Sequence, residues 1–186
     1  MTRVFHVIAT YLGVSEGFVH EVISRSRYSN SVLSRFSPAN LAAFPLDEVQ
    51  QVPAVVDRLP GGPFHDRVVR LAVLRAARRA RADIAHAHFG YALPYASVLA
   101  QRGRLPLVLS LHGHDVLGWP QEAPWAYAHA DAVGAVIVPS AWLADRAVEV
   151  GFDRARIRVI ALGSDTASVA QTPAQYVPPA VAFMRR

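Results

Sequence analysis

Short apolar runs alternate with stretches of helical periodicity along this chain, and polar or glycine-containing segments separate them. Residues 4–10, 84–88, 107–111, 133–138 and 157–162 are runs of the kind that strands buried on both faces display. Residues 31–35 and 49–52 are candidates for two shorter strands, the second set within a long proline-rich connection over 37–63. Between these runs the spacing of apolar residues changes from two to about 3.6. Phe18, Val19, Val22 and Ile23 form one such stripe, with Ser15 placed to cap the helix and Glu16 in its first turn. Residues 65–82 form a second helix. A third starts near Pro94, whose missing N–H is tolerated in a first turn, and stops at Gly103. Residues 124–130 read as a short helical turn. Ser140 caps a last helix that carries Trp142, Leu143, Ala147 and Val148 and ends at Gly151. Strands alternating with helices predict an α/β fold, a Rossmann-like doubly wound parallel sheet covered on both faces.

The segment over residues 86–115 organises the rest. It reads as strand, helix, strand, and each strand runs into a histidine followed shortly by a glycine. In an open parallel sheet, ligands bind beyond the carboxyl ends of the strands. Two neighbouring strands that end in His and Gly therefore predict a polar crevice there. The turn over residues 11–17, before the first helix, carries Gly13 and Gly17 and is a second candidate, because helix N-termini accept anions.

Composition narrows the class. With 186 residues, 52% hydrophobic and 18% charged, the chain has enough apolar mass for one ordinary soluble domain and a little more. No apolar run reaches membrane-spanning length. Residues 4–14 lack the basic leader and small-residue cleavage site of a signal peptide, so a first buried strand is expected there. The absence of cysteine fits the cytoplasm. The net charge is +5, and all 19 basic residues are arginines. Arg67, Arg70, Arg75, Arg78, Arg79 and Arg81 project onto one half of the 65–82 helix, with Val69, Ala72, Val73, Ala76 and Ala80 on the other. Such a face is either a solvated exterior or a docking surface for anionic lipid at the inner face of a membrane. Nucleic acid is not expected, since no aromatic residue interleaves with these arginines.

Eight histidines include the pairs His86/His88 and His112/His114. Residues two apart on a strand share a face, so each pair has metal-gripping geometry, and with Asp115 they suggest a metal-dependent hydrolase. The spacing argues against it. The common binuclear run places an Asp two residues beyond the second His and another His directly after that Asp, whereas Asp115 follows His114 at once and Val116 comes next. No resident metal is expected. A Ser-His-Asp hydrolase lacks its Gly-x-Ser-x-Gly elbow.

Three stretches in order carry a resemblance: HAHFG over 86–90, LHGHD over 111–115, and ADAVGAVIVPSAWLADRAVEVGFDRARIRVIALGSD over 130–165. They are similar to the amino-terminal half of glycosyltransferase family 4 enzymes. The segment VSEGFVHEVISRS over 14–26 and NLAAFPLDEV over 40–49 resemble the exopolysaccharide and colanic-acid-type subgroup. The resemblance implies a GT-B fold, two Rossmann-like domains facing each other across a cleft. It implies retaining transfer of a hexose from a nucleotide sugar to a saccharide or lipid-linked acceptor, with no metal and no cofactor beyond that co-substrate.

By the same resemblance His112 matches the catalytic histidine near the reaction centre. His88, Phe89, Gly90, Tyr91 and Gly113 match the crevice floor that holds substrate. Asp115 stands where a carboxylate meets sugar hydroxyls, although a turn-holding role fits the residue type equally. Gly13 and Gly17 lie in the turn that approaches donor phosphate. The expected organisation is an acceptor-side domain over residues 1–165, a linker over 166–179 and the start of a donor-binding domain over 180–186. No pair of glutamates stands at the donor-domain spacing of seven intervening residues. A partner donor domain, in cis or in trans, is therefore expected, and the 186-residue chain alone is expected to be inactive. The alternative is a sugar- or lipid-carrier-binding module without catalysis.

Overall fold

The computed structural model describes residues 1–118 and 124–163. The linker and the terminal strand expected over 166–179 and 180–186 lie outside the described residues. Seven strands form one sheet: β1 (Arg3–Ile8), β2 (Ser29–Ser34), β3 (Val49–Gln51), β4 (Ile84–His88), β5 (Leu107–Ser110), β6 (Ala135–Val138) and β7 (Ile157–Val159). Their spatial order is β3-β2-β1-β4-β5-β6-β7, and every adjacent pair is parallel. The chain builds outwards from β1 to one edge, returns to the other side of β1, and builds to the opposite edge. The β1/β4 boundary is thus the switch point of a doubly wound sheet, where crevices form.

Helix α1 (Gly17–Ser24) lies on one face; α2 (Pro63–Arg79), α3 (Leu93–Gln101) and α5 (Ala141–Glu149) lie on the other. A one-turn helix, α4 (His114–Leu117), follows β5. The larger core uses one side of every central strand: Phe5 and Val7, Ala85 and Ala87, Leu107 and Leu109, Val136 and Val138. Val69, Val73, Ala76 and Ala77 of α2, Leu93, Ala96 and Leu99 of α3, and Leu143 and Ala147 of α5 close over them. The arginine-free half of α2 is therefore its core face, as its periodicity predicts. A smaller core joins Ile8, Val19, Ile23, Val32 and Phe89 under α1.

Several boundaries differ from expectation for local reasons. Ser15 does not cap α1. It sits inside a 3-10 turn (Val14–Glu16), and the Glu16 carboxylate accepts the Gly13 N–H at 2.7 Å in its place. Glu16 accordingly precedes α1 and is not part of its first turn. Helix α2 starts at Pro63, two residues early, because Gly62 at φ 126° makes the turn into it and Pro63 needs no N–H partner. Residues 124–132 form a 3-10 segment with non-helical angles at His129. The final strand ends at Val159, and Ile160, Ala161 and Leu162 follow it as exposed irregular chain. Ser140 does cap α5, accepting the Leu143 N–H at 3.2 Å. Among the described residues no helix is long and apolar enough to cross a membrane.

Candidate functional site

Side chains alternate across a strand, so the face of the sheet opposite the larger core receives His6 from β1, His86 and His88 from β4, and Ser110 from β5. His6 and His86 are register partners, as are His88 and Ser110. His112 stands just beyond β5. Four imidazoles thus gather at the carboxyl ends of three adjacent strands. The His86 and His88 rings stack at 4.2 Å, and those of His88 and His112 lie 6.2 Å apart and nearly parallel.

The hydrogen bonds assign tautomers. Asn30 Nδ2 donates to the carbonyls of Ile23 and Tyr28, so its Oδ1 must accept from His6 Nε2 at 3.1 Å. His6 Nδ1 then accepts from His88 Nε2 at 2.9 Å. His88 Nδ1 is left with a lone pair, buried and without a partner among the described residues. His86 Nε2 bonds Ser110 Oγ at 2.8 Å. Burial holds all of these rings neutral. It lowers His6 to about 4 against a smaller opposing pull from Asn30, and it lowers His86 to about 3 and His88 well below the usual range, with the neighbouring imidazoles adding to both.

His112 sits between aromatic walls. Its ring centroid lies 4.5 Å from that of Phe89 and 4.8 Å from that of Phe18. Neither ring nitrogen has a partner among the described residues, and burial lowers its pKa to about 4. A neutral imidazole with one N–H and one lone pair can both donate to and accept from a sugar hydroxyl. Phe89 stacks on Tyr91 at 5.0 Å and holds φ 66°, ψ 147°, a conformation that side chains rarely adopt. A cavity of about 160 Å³ opens beside these groups, lined in part by Phe18, Val22, His86, His88, Ser110 and His112.

Asp115 has a different place from the one expected for a sugar ligand. It is wholly buried, and its carboxylate accepts the N–H groups of Gly90 at 3.1 Å, His112 at 3.0 Å and Gly113 at 2.7 Å. Burial raises its pKa while those amides pull the other way. Its carboxylate ties the turn after β4 to the turn after β5, which is the turn-holding role. Tyr127 donates its hydroxyl to the Asp115 carbonyl, and a Cβ on Gly90 would lie 2.0 Å from that hydroxyl. Gly90 is therefore required by close approach, and Gly113, at φ 136°, by its backbone.

The first turn also departs from a free anion cradle. The Gly13 amide is engaged by Glu16, whose other carboxylate oxygen receives the Tyr91 hydroxyl at 3.4 Å. A Cβ on Gly17 would meet the Phe44 ring at 3.0 Å. His114 is exposed at the start of α4, away from the imidazole cluster. Histidines 86, 88, 112 and 114 therefore do not assemble as a set. The cluster recruits His6 and Asn30 in their place, and neither carried a motif: each becomes legible only once β1, β2 and β4 are neighbours.

A family model for Glycosyltransferase Family 4 matches residues 15–168. No functionally curated protein matches the chain. Among solved structures, HepE of Anabaena in complex with UDP and glucose superposes with a TM-score of 0.67 at 18% identity, over 89% of this chain and 45% of that one. MurG of Acinetobacter baumannii gives 0.63 at 14% identity, over 90% and 47%. UDP-GlcNAc 2-epimerase of Neisseria meningitidis, bound to UDP-GlcNAc, gives 0.63 at 11%, over 85% and 45%. The chain spans about half the length of these proteins, and at such identities the likeness establishes a shared Rossmann-like fold.

Proposed function

Because this chain belongs to glycosyltransferase family 4, we propose that it is the acceptor-side half of a retaining, metal-independent hexosyltransferase. The donor is a nucleotide sugar held by a second domain, in cis or in trans. The acceptor is a saccharide or a lipid-linked sugar of exopolysaccharide assembly. The observation that carries this reading is His112: a neutral imidazole without a partner among the described residues, between two aromatic walls, at the mouth of β5 beside the switch point of the sheet. Aromatic faces suit the apolar faces of sugar rings, and the imidazole supplies a hydrogen bond where charge develops at the anomeric carbon. Phe89, Tyr91 and His88 line or support that position; Gly90, Gly113 and Asp115 hold its two turns. Gly13 and Gly17 place the first turn opposite the incoming donor phosphates, and Glu16 must release the Gly13 amide for that N–H to meet phosphate.

Closing two domains on a cleft aligns donor and acceptor, so half of the cleft aligns neither. Residues 1–186 alone should fold and transfer no sugar. The test is transfer from a panel of nucleotide sugars by this chain with and without a separately expressed donor half. Restored turnover, abolished by His112→Ala with the fold intact, is the expected result. Transfer by the chain alone, or undiminished transfer by His112→Ala, would overturn the reading.

A lipid-linked acceptor also gives the outer face of α2 a role. Arg67, Arg75 and Arg78 are exposed there beside Phe64 and Leu71, which are 67% and 42% exposed. A groove of about 470 Å³ lined by Asp66, Arg67, Arg70 and Arg102 adjoins them. Apolar side chains among arginines suit the headgroup region of an anionic membrane, and each basic residue near the surface adds about 1 kcal/mol. Sedimentation with anionic vesicles should fall as salt is added, since screening acts over about 10 Å at 0.1 M. Equal sedimentation with neutral vesicles would reject this contact.

A further inference from the structure

We propose that His6, His86 and His88 form a binding site for one divalent transition-metal ion of the zinc class; the ion takes no part in the proposed transfer, although His88 also supports the crevice around His112. One ring nitrogen from each of the three lies within 4.8 Å of the others. All three residues sit on two neighbouring strands, with His6 and His86 in register and His88 two residues further along the same face. Their backbone positions are therefore set by sheet hydrogen bonds and are not borrowed from a mobile loop.

Two of the nitrogens offered are specific. His6 Nδ1 and His88 Nε2 face each other at 2.9 Å. An ion bound at 2.0–2.1 Å by both, in tetrahedral geometry, needs them roughly 3.3 Å apart, an opening of a few tenths of an ångström. The outer nitrogen of His6 already donates to Asn30 Oδ1, the arrangement that orients metal-bound imidazoles from behind. A set made of imidazoles alone, without a thiolate or carboxylate, suits zinc, nickel and copper and disfavours calcium and magnesium. The 160 Å³ cavity that reaches His86, His88 and Ser110 supplies an entry path and room for a fourth ligand.

The tautomers make the proposal testable at a single atom. Without metal, His88 carries its proton on Nε2, and its Nδ1 is a buried lone pair without a partner among the described residues. Binding through Nε2 requires that proton to move to Nδ1. No proton is lost, His6 keeps its own on Nε2, and the ion's charge is the net change. Stacked core histidines with no affinity for metal would show neither binding nor this shift.

Chelator-treated residues 1–186 should be titrated with zinc chloride by calorimetry and, in parallel, followed by ring-nitrogen NMR. The expected result is one ion per chain and transfer of the His88 proton from Nε2 to Nδ1 at saturation. His86→Ala should weaken binding at least ~10-fold, and His114→Ala, on an exposed residue outside the cluster, should leave it unchanged. Three results would overturn the site: no one-to-one binding by the wild-type chain, binding unaltered in His86→Ala, or a His88 ring still protonated on Nε2 at saturation. The last needs no variant, so a misfolded substitution cannot shelter the proposal.

Discussion

The two faces of the sheet are built from alternate residues of the same strands and differ in kind. One face carries Phe5, Val7, Ala85, Ala87, Leu107, Leu109, Val136 and Val138, and three helices cover it. The other carries His6, His86, His88 and Ser110, with half-buried Val108 and Ile137 beside them and the single long helix α1 across β1 and β2. The first face stabilises the domain by removing apolar surface from water. The second spends buried volume on imidazoles that must each find a partner or stand without one. Chemistry is placed on the face that contributes less to stability, and the rigid apolar face behind it holds its geometry.

Neighbouring positions on β5 test this contrast directly. Leu109→Ala, on the apolar face, should destabilise by ~2–5 kcal/mol, the cost of lost transfer plus a residual cavity. Ser110→Ala, one residue on, removes the His86 bond and should cost ~1 kcal/mol. Chemical denaturation of both variants measures the difference, and equal losses would erase the distinction between the faces.

Between these extremes lie the turns. Gly90→Ala forces a methyl against the Tyr127 hydroxyl and should cost ~1–3 kcal/mol, with part of the loss recovered in the Gly90→Ala, Tyr127→Phe double variant. Failure of the second substitution to rescue would place the strain elsewhere. Asp115→Asn leaves one oxygen for three N–H groups, one of them buried and two half-buried. A loss of ~1–3 kcal/mol is expected, together with a displaced His112 resonance, because the carboxylate tethers the His112 amide.

The last test is a titration. His112 has its pKa lowered by burial to about 4, against 6.5 when unfolded. Between those values the unfolded chain binds more protons, so the contribution of His112 to stability is complete above pH 6.5 and is lost as pH falls towards 4. An NMR titration of the His112 ring should show a midpoint near 4. A midpoint near 6.5 would mean that the ring is solvated and that the aromatic walls do not enclose it.

Sequence alone determined the layers. The apolar runs and helical stripes predict all seven strands and the four longer helices, because burial on a pleated sheet or along one helix face imposes a period that composition cannot hide. It also marked the ends of β4 and β5, at His88 with Gly90 and at His112 with Gly113, as one neighbourhood, since strand ends followed by glycine converge in a parallel sheet, and the family resemblance added Phe89 and Asp115. It did not reveal that Asp115 faces inwards to three amides, that Glu16 occupies the Gly13 N–H, or that His6 and Asn30 complete the imidazole chain. Those facts depend on register and strand order: His6 meets His86 and His88 only because the chain returns across β1 to lay down β4. Local periodicity reports which way a side chain points; only the closed sheet decides what it points at.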